Sequence, residues 1–494
     1  MSISNSEAQL SELVPAGNKT AASRNFRYRL SRRIAADLVG VADVVAIVLG
    51  FYLPVLIYSQ AGGILADWML LTQAGVAAGL IVHMFLRLNG MYDTDMMHDF
   101  PLRPGLIFAV LAATIFALMG LGLPHAIRDG HLWIWFCVAL SGSFTLMLLV
   151  RAIVHPLFAH LTKAGYFDER VAVFGAGQIA RRVHEHLSNK QLGIHFIGVF
   201  DDRMGDDRLN PEGLAVAGRL DDLIEVARAN EIDRIVIALP QSADQRISHI
   251  AQKLQALPAS LHIVTHISSD LVEDGPAHNV SAIGSVGLLD VKKKPLSGWS
   301  PLIKRAEDII LGTLLLILAL PLFPIIALAI RLDSPGPVLF RQLRSGYNQR
   351  PFEVLKFRTM HVSDATDESR QAAPGDARIT RVGRILRRTS LDELPQLFNV
   401  IKGEMSLVGP RPHLLEHDRQ FAAILATYPH RHQVKPGLTG LAQVRGHRGV
   451  TRSASHVEAR VSSDLQYIRD WSLGLDLQIL VGTIWAVITG RNAH

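Results

Sequence analysis

The apolar and polar positions divide the chain into successive blocks. Residues 1–24 are mostly polar with no periodic apolar face. This predicts a disordered tail rather than a signal peptide, because no apolar core follows at the usual distance. Four long apolar stretches come next, at 35–58, 68–86, 104–123 and 132–150. Each approaches the roughly 20 residues a helix needs to cross about 30 Å of hydrocarbon. They lack the polar stripe of soluble bundle helices, so a membrane α-helical bundle of four transmembrane helices is predicted over 25–160. Beyond it, short apolar runs at 170–174, 195–200 and 234–239 alternate with helical patterns at 181–187 and 221–231. That alternation predicts an α/β domain over 165–268 with a Rossmann-like parallel sheet, followed by a linker over 269–302.

A fifth apolar segment, 309–330, is long enough to span. Lys292, Lys293, Lys294, Lys304 and Arg305 precede it, and Arg331, Arg341, Arg344 and Arg350 follow it. Positive charge on both flanks favours one membrane face for both ends. Pro321 and Pro324 sit mid-segment, where proline kinks a helix. Together they predict a re-entrant helix broken at Pro321. It would anchor a mainly α catalytic domain over 303–494; the competing reading is an ordinary kinked span.

Charge orients the bundle. Arg24, Arg27, Arg29, Arg32 and Arg33 precede the first span, Arg87 and Arg103 flank the second loop, and Arg151 and Lys163 follow the fourth span. Only Arg128 lies on the other side, so both bundle ends should face the cytoplasm. Asp37 and Asp43 lie on the first span. Asp43 is the deeper; it is either a functional intramembrane carboxylate or a packing residue.

Composition narrows the classes further. Charged residues are 19% of the chain against about 25% in an average soluble protein, which fits membrane residence. A single cysteine, Cys137, excludes an internal disulfide framework and any multi-cysteine metal site. Residues 331–412 carry 14 Lys+Arg against 9 Asp+Glu, which suits phosphate substrates or anionic lipid headgroups. No nucleic-acid partner is expected.

Candidate chemistry lies in two places. Gly175-Ala176-Gly177-Gln178-Ile179-Ala180 follows the first strand of the middle domain, and Asp201 ends the second. Gly175, Gly177 and Asp201 could hold a nucleotide or nucleotide-sugar effector, or the domain could be purely structural. The sharper stretch runs from Arg387 through Asp392 and Glu393 to Val400, with Arg411 further on. Ser390-x-x-Glu393 reads as a capping box opening a helix, with the acids complementing its dipole. The same residues read as a phosphoryl-transfer kit, in which carboxylates attack or hold Mg²⁺ and Arg387, Arg388 and Arg411 clamp phosphate oxygens.

Several blocks together carry a resemblance. They are Ile303-Lys304-Arg305 with Asp308, Ser334-Pro335-Gly336-Pro337-Val338, and Lys356-Phe357-Arg358-Thr359-Met360. Ser390-Leu391-Asp392-Glu393-Leu394-Pro395-Gln396 and Met405-Ser406-Leu407-Val408-Gly409-Pro410-Arg411-Pro412 follow. Lys435-Pro436-Gly437-Leu438-Thr439-Gly440 and Asp464-x-x-Tyr467 complete the set. In these blocks the chain resembles the bacterial sugar transferase family, the monotopic polyprenyl-phosphate phosphoglycosyl transferases. The four-span bundle and middle domain look like its long-form members, including undecaprenyl-phosphate glucose phosphotransferases.

The resemblance implies transfer of a sugar-1-phosphate from a UDP-sugar to undecaprenyl phosphate with release of UMP. This would be the first membrane step of exopolysaccharide or capsule synthesis, at the cytoplasmic face of the bacterial inner membrane. It implies Asp392 as covalent nucleophile, Glu393 as partner carboxylate and Mg²⁺ on that acidic pair. It places Arg387, Arg411, Lys356 and Arg358 at phosphates. It also implies the re-entrant helix, whose Ser-Pro break in some members is Leu320-Pro321 here. Glucose-1-phosphate is the expected cargo and galactose-1-phosphate the alternative. A non-catalytic nucleotide-sugar sensor is the competing class. His413-Leu414-Leu415-Glu416-His417 also fits a zinc peptidase pattern, which arises easily in a chain with 21 His. Membrane lipid is an expected partner, and a homodimer is compatible with the bundle and middle domain.

Overall fold

The computed structural model describes residues 31–60, 68–92, 103–120, 132–164, 166–187, 194–203, 214–229, 232–268, 280–283, 286–361, 376–447 and 454–488. The predicted tail and Arg24, Arg27, Arg29 and Arg128 lie outside them. Two compact units divide the chain, one chiefly Thr20–Glu169 and the other Arg170–Ser188 with Phe196–His494.

The first unit is a bundle of four apolar helices, α1 (Arg32–Gln60), α2 (Trp68–Leu88), α3 (Pro104–Gly120) and α4 (Leu132–Lys163). Two are long and apolar enough to cross a membrane, over Arg32–Pro54 and Trp133–Thr162; α2 and α3 are shorter. Their buried sides share one core around Ile47, Phe51, Val82, Leu86, Ile107, Leu111 and Met147. The outer faces, including Leu38, Val45, Leu80, Phe116 and Ile153, are bare hydrocarbon. A side chain at Gly50 would meet Ser143 of α4 within 2.5 Å, so glycine is what lets α1 and α4 touch. Inside, Asp43 accepts hydrogen bonds from Arg151 at 2.8 Å and Tyr92 at 2.7 Å. Asp43 therefore joins α1 to α4 through a fully buried ion pair.

The second unit begins with a seven-stranded sheet. In chain order its elements are β1 (Glu169–Phe174), α5 (Gln178–Leu187), β2 (Ile194–Phe200), β3 (Val216–Gly218), α6 (Leu220–Ala229), β4 (Arg234–Ile237), α7 (Asp244–Leu254), β5 (Ser260–Ser268), β6 (Val280–Ile283) and β7 (Val286–Lys292). The strand order is β3-β2-β1-β4-β5-β7-β6. The β2–β3, β1–β4 and β4–β5 pairs are parallel, while β7 runs antiparallel to β5 and β6. Four-residue runs such as Ile235-Val236-Ile237-Ala238 are wholly buried, as a sheet covered on both faces requires. The expected linker over 269–302 is corrected here. Residues 280–283 and 286–292 are strands of this sheet, because Val286–Lys292 finds its backbone partners on the distant edge of β5.

The remainder comprises a bent helix pair, α8 (Ser300–Ala319) and α9 (Leu322–Asp333), then hairpin β8 (Leu339–Ser345) and β9 (Pro351–Phe357). Helix α10 (Arg381–Thr389), α11 (Gln396–Lys402), β10 (Ser406–Val408), α12 (Leu415–Ile424), β11 (Gly437–Thr439), α13 (Leu441–Val444), α14 (Ala454–Asp470) and α15 (Leu473–Ile488) follow. The α8–α9 bend is 56°. Pro321 stands at the break, ahead of Leu322. Both ends are tied to the same domain. Arg305 donates to Val400 O and Ile401 O at the start, and Asp333 accepts from Val382 N at the end. Between those ties, Ile310, Ile317, Leu318, Ile325 and Leu328 are exposed.

This domain also grips the ends of two sheet-side helices. Asn348 donates to Ala227 O, and Arg350 donates to Arg228 O and Ala229 O, covering the last carbonyls of α6. Gln433 and Lys292 both donate to Gln255 O just past α7, and Lys292 also reaches Leu257 O. Burial pushes the Lys292 pKa down to about 7 from 10.5. Between those pH values the unfolded lysine holds the proton and the folded one does not. The stability this site contributes is complete above pH 10.5 and is lost as pH falls to about 7. Thermal unfolding should therefore rise more steeply between about pH 7 and 9 in the native chain than in Lys292→Met. Equal slopes would contradict the assignment.

Candidate active site

Asp392 and Glu393 sit in a tight turn where α10 ends and α11 begins. Ser390 is left-handed (φ 56°, ψ 17°) and its N–H closes α10 on Arg387 O. Leu391–Glu393 then form a single 3₁₀ turn, and Pro395 leads into α11. The expected capping box does not form. An N-cap needs extended backbone, whereas Ser390 is committed to ending the preceding helix and makes no side-chain cap bond.

Glu393 is held from two sides. Lys356 of β9 donates to its Oε1 at 3.0 Å, and Arg411 embraces both oxygens, with Nη1 to Oε2 at 3.1 Å and Nη2 to Oε1. Asp392 differs. It is 8% exposed, and among the described residues no donor lies within hydrogen-bond distance of its carboxylate. Burial and the neighbouring Glu393 raise its pKa, opposed by Lys356, Arg387 and Arg411. Burial lowers the Lys356 and Arg387 pKa values, which their carboxylate neighbours oppose.

The structure thus brings together Asp392, Glu393, Lys356, Arg387 and Arg411. Arg387 is aimed by its Nε bond to Thr359 Oγ1 at 2.9 Å. Arg358 departs from expectation. Strand alternation would put it on the same face as Lys356, but β9 ends at Phe357. The chain turns there, and Arg358 donates to Pro335 O and Ser334 O, closing the end of α9. Gly175, Gly177 and Asp201 lie in the sheet domain. Asp201 accepts from Ala176 N at 2.9 Å and from Arg203, whose backbone N–H and guanidinium bind both its oxygens.

Residues that sequence reasoning missed complete the surroundings. Arg344 of β8 neighbours Arg411 and Glu393, and its pKa is pushed down to about 10, first by burial and then by Arg411. Arg378 forms a two-pronged pair with Asp376 beside Arg387. Nothing in the pattern of either segment separates these arginines from surface charge. The zinc-like pattern is dispersed: His413 precedes α12, and its Nδ1 faces Tyr428 OH at 2.6 Å and Arg431 at 2.8 Å. His432 is buried, and burial pushes its pKa down to about 4.

Arg411 follows β10, which pairs in parallel with β11 where the backbones approach at Gly409 and Gly437. A side chain on Gly437 would stand 2.1 Å from Gly409 N. Asp392's unengaged oxygens suit a cation that takes one or two carboxylates and otherwise water and phosphate oxygens, as Mg²⁺ does. Glu393 could contribute only by loosening an existing ion pair.

Residues 299–490 match the family described as bacterial sugar transferase, and residues 87–265 match one described as a CoA-binding domain. Over 96% of its length the chain is 33% identical to UDP-glucose:undecaprenyl-phosphate glucose-1-phosphate transferase of Klebsiella pneumoniae, covering 100% of that protein. The chain belongs to the bacterial sugar transferase family. A second relative in that family, the enzyme of the same name from Escherichia coli (strain K12), is 37% identical over 74% of this chain and 76% of its own. A third is UDP-N-acetylgalactosamine-undecaprenyl-phosphate N-acetylgalactosaminephosphotransferase of Aeromonas hydrophila. It is 41% identical over 39% of this chain and 45% of its own. Asp392, Glu393 and Arg411 of this sugar transferase all lie inside the 299–490 match.

Proposed function

We propose that this transferase moves glucose-1-phosphate from UDP-glucose to undecaprenyl phosphate, releasing UMP, as the first membrane step of exopolysaccharide synthesis. The observation that carries the reading is the asymmetry of the acidic pair. Glu393 is clamped by two cations while Asp392 is buried, unengaged and beside the same cations. A carboxylate with free lone pairs among guanidiniums can attack a phosphorus whose oxygens those guanidiniums neutralise.

An Asp392 oxygen attacks the sugar-bearing phosphorus. The bond from that phosphorus to the UMP oxygen breaks, and UMP leaves with the electron pair. An oxygen of undecaprenyl phosphate then attacks the same phosphorus and Asp392 departs as carboxylate. Lys356 and Arg411 hold Glu393 in place, and Arg387 lies where it can meet phosphate oxygens. Mg²⁺ held by Asp392, with Glu393 as the second candidate ligand, would neutralise charge on the diphosphate.

Further features fit the setting. The bare outer faces of α1–α4 support a four-span bundle. The strand order β3-β2-β1-β4-β5 supports a Rossmann-like sheet. The two ends of α8–α9, tied to one domain, support a re-entrant helix with the catalytic domain on the cytoplasmic face of the inner membrane. Asp201, engaged by Ala176 and Arg203, favours a bracing role for that residue over a hold on a ribose.

The test is UMP release by purified protein with Mg²⁺, with and without undecaprenyl phosphate, from UDP-glucose and UDP-galactose side by side. Lipid-dependent release from UDP-glucose is expected. Release from UDP-galactose alone would move the sugar assignment, and release from neither would favour a sensor.

A further inference from the structure

Arg411 lies between Pro410 and Pro412, which have no backbone N–H to give to a ladder. The segment is held instead by its carbonyls. Pro410 O accepts from Gly437 N at 3.0 Å, and His413 O accepts from Ser345 N at 3.1 Å. Between them, Pro412 O accepts from Arg344 Nη1 at 2.6 Å, and Arg411 O accepts from Arg431 Nη2 at 2.7 Å. Two guanidiniums thus grip consecutive carbonyls of the segment that aims Arg411.

Arg431 is the deeper of the two, 2% exposed. Its Nε and Nη2 donate to Asp464 Oδ2 at 3.0 and 2.8 Å. Its Nη1 meets Tyr428 OH at 3.1 Å and His413 Nδ1 at 2.8 Å. With the bond to Arg411 O, these contacts occupy all five donors a guanidinium has. Asp464 is as buried as its partner, on α14.

A buried ion pair of this kind is not the most stable filling for a core. Well-packed apolar residues of similar volume often do as well or better. What the pair supplies that an apolar core cannot is one directed bond, to the backbone of the residue that clamps Glu393. We infer that Arg431, locked by Asp464, is a positioning residue that seats Arg411 on Glu393. Lysine cannot replace it, having three donors on a rotating ammonium rather than five in a fixed plane. The inference rests on the reading of Asp392, Glu393 and Arg411 as the reacting centre.

The consequence lies in how Arg411 meets Glu393, which it grips through both oxygens. When Arg431 no longer holds the Arg411 carbonyl, that grip loosens and the reacting centre loses its geometry. A side chain misplaced by about 1 Å can cost about 100-fold in rate.

The test uses the full chain in lipid vesicles with UDP-sugar and undecaprenyl phosphate, comparing Arg411→Ala, Arg431→Lys and the double variant. Arg431→Lys should slow transfer by about 10- to 100-fold, divided between kcat and KM for the UDP-sugar in the same proportions as in Arg411→Ala. Added to Arg411→Ala, it should cost at most about threefold more, since nothing remains to be seated. Asp464→Asn keeps the volume of the carboxyl and should show the same split; it carries the test if Arg431→Lys does not fold. An unchanged rate in both Arg431→Lys and Asp464→Asn, a split unlike that of Arg411→Ala, or losses that multiply in the double variant would overturn the inference. An unchanged rate in Arg411→Ala would instead overturn the site reading beneath it.

Discussion

Asp392→Asn is expected to lower sugar-phosphate transfer by at least about a thousandfold, because an amide is not a nucleophile toward phosphorus. The protein should nevertheless unfold at the same temperature as the parent or slightly above it. Asp392 is buried, its pKa is raised by burial and by Glu393, and no donor among the described residues bonds it. Removing its charge therefore relieves a repulsion and leaves no hydrogen-bond donor stranded. Lipid-dependent UMP release and a thermal melt on the same preparation read both halves. Retained transfer would remove Asp392 from the mechanism, and a large drop in melting temperature would contradict its electrostatic description.

The same change one residue later should behave in the opposite way. Glu393→Gln removes the carboxylate that Lys356 and Arg411 share, leaving two largely buried cations facing each other. Breaking a buried pair from one side costs about 3–5 kcal/mol, far more than the pair's net contribution. We expect a loss of about 3 kcal/mol in stability together with at least about a hundredfold loss of transfer, the latter because Arg411 loses its seat. Denaturant melts of the two amide variants, run side by side, give the comparison. Equal stability in both would show that the asymmetry between Asp392 and Glu393 is not energetic.

That asymmetry is invisible in the sequence, where the two acids are simply adjacent. The acidic pair and the basic residues at 356, 387 and 411 were legible because their blocks occur together and in order. The strands of the sheet domain were legible because short apolar runs bounded by polar turns have few other uses. Arg358 was misread because alternation applies only inside a strand, and the end of β9 at Phe357 is a tertiary event. The capping box at Ser390 failed for a related reason: the residue that could start one helix is engaged in stopping another. Residues 280–283 and 286–292 read as linker in the sequence because their strand character depends on β5, an edge that the local pattern does not reveal. Arg431 and Arg344 meet the 410–413 segment only after the chain has folded back on itself, so no spacing announces them, and the Asp464-x-x-Tyr467 block does not reveal that Asp464 pairs with Arg431.

The capped ends of α6 and α7 bear on how this chain comes apart. The final carbonyls of an isolated helix must find partners or face water. Here, those of α6 are covered by Asn348 and Arg350, which lie more than a hundred residues further along the chain. The same turn connects the two strands of the hairpin that presents Lys356 to Glu393. Sheet domain and catalytic domain should consequently unfold together, because hydrogen bonds join them as well as the connection between β7 and α8. A cut in that connection separates two pieces, each of which leaves polar groups without the partners that its other half supplied.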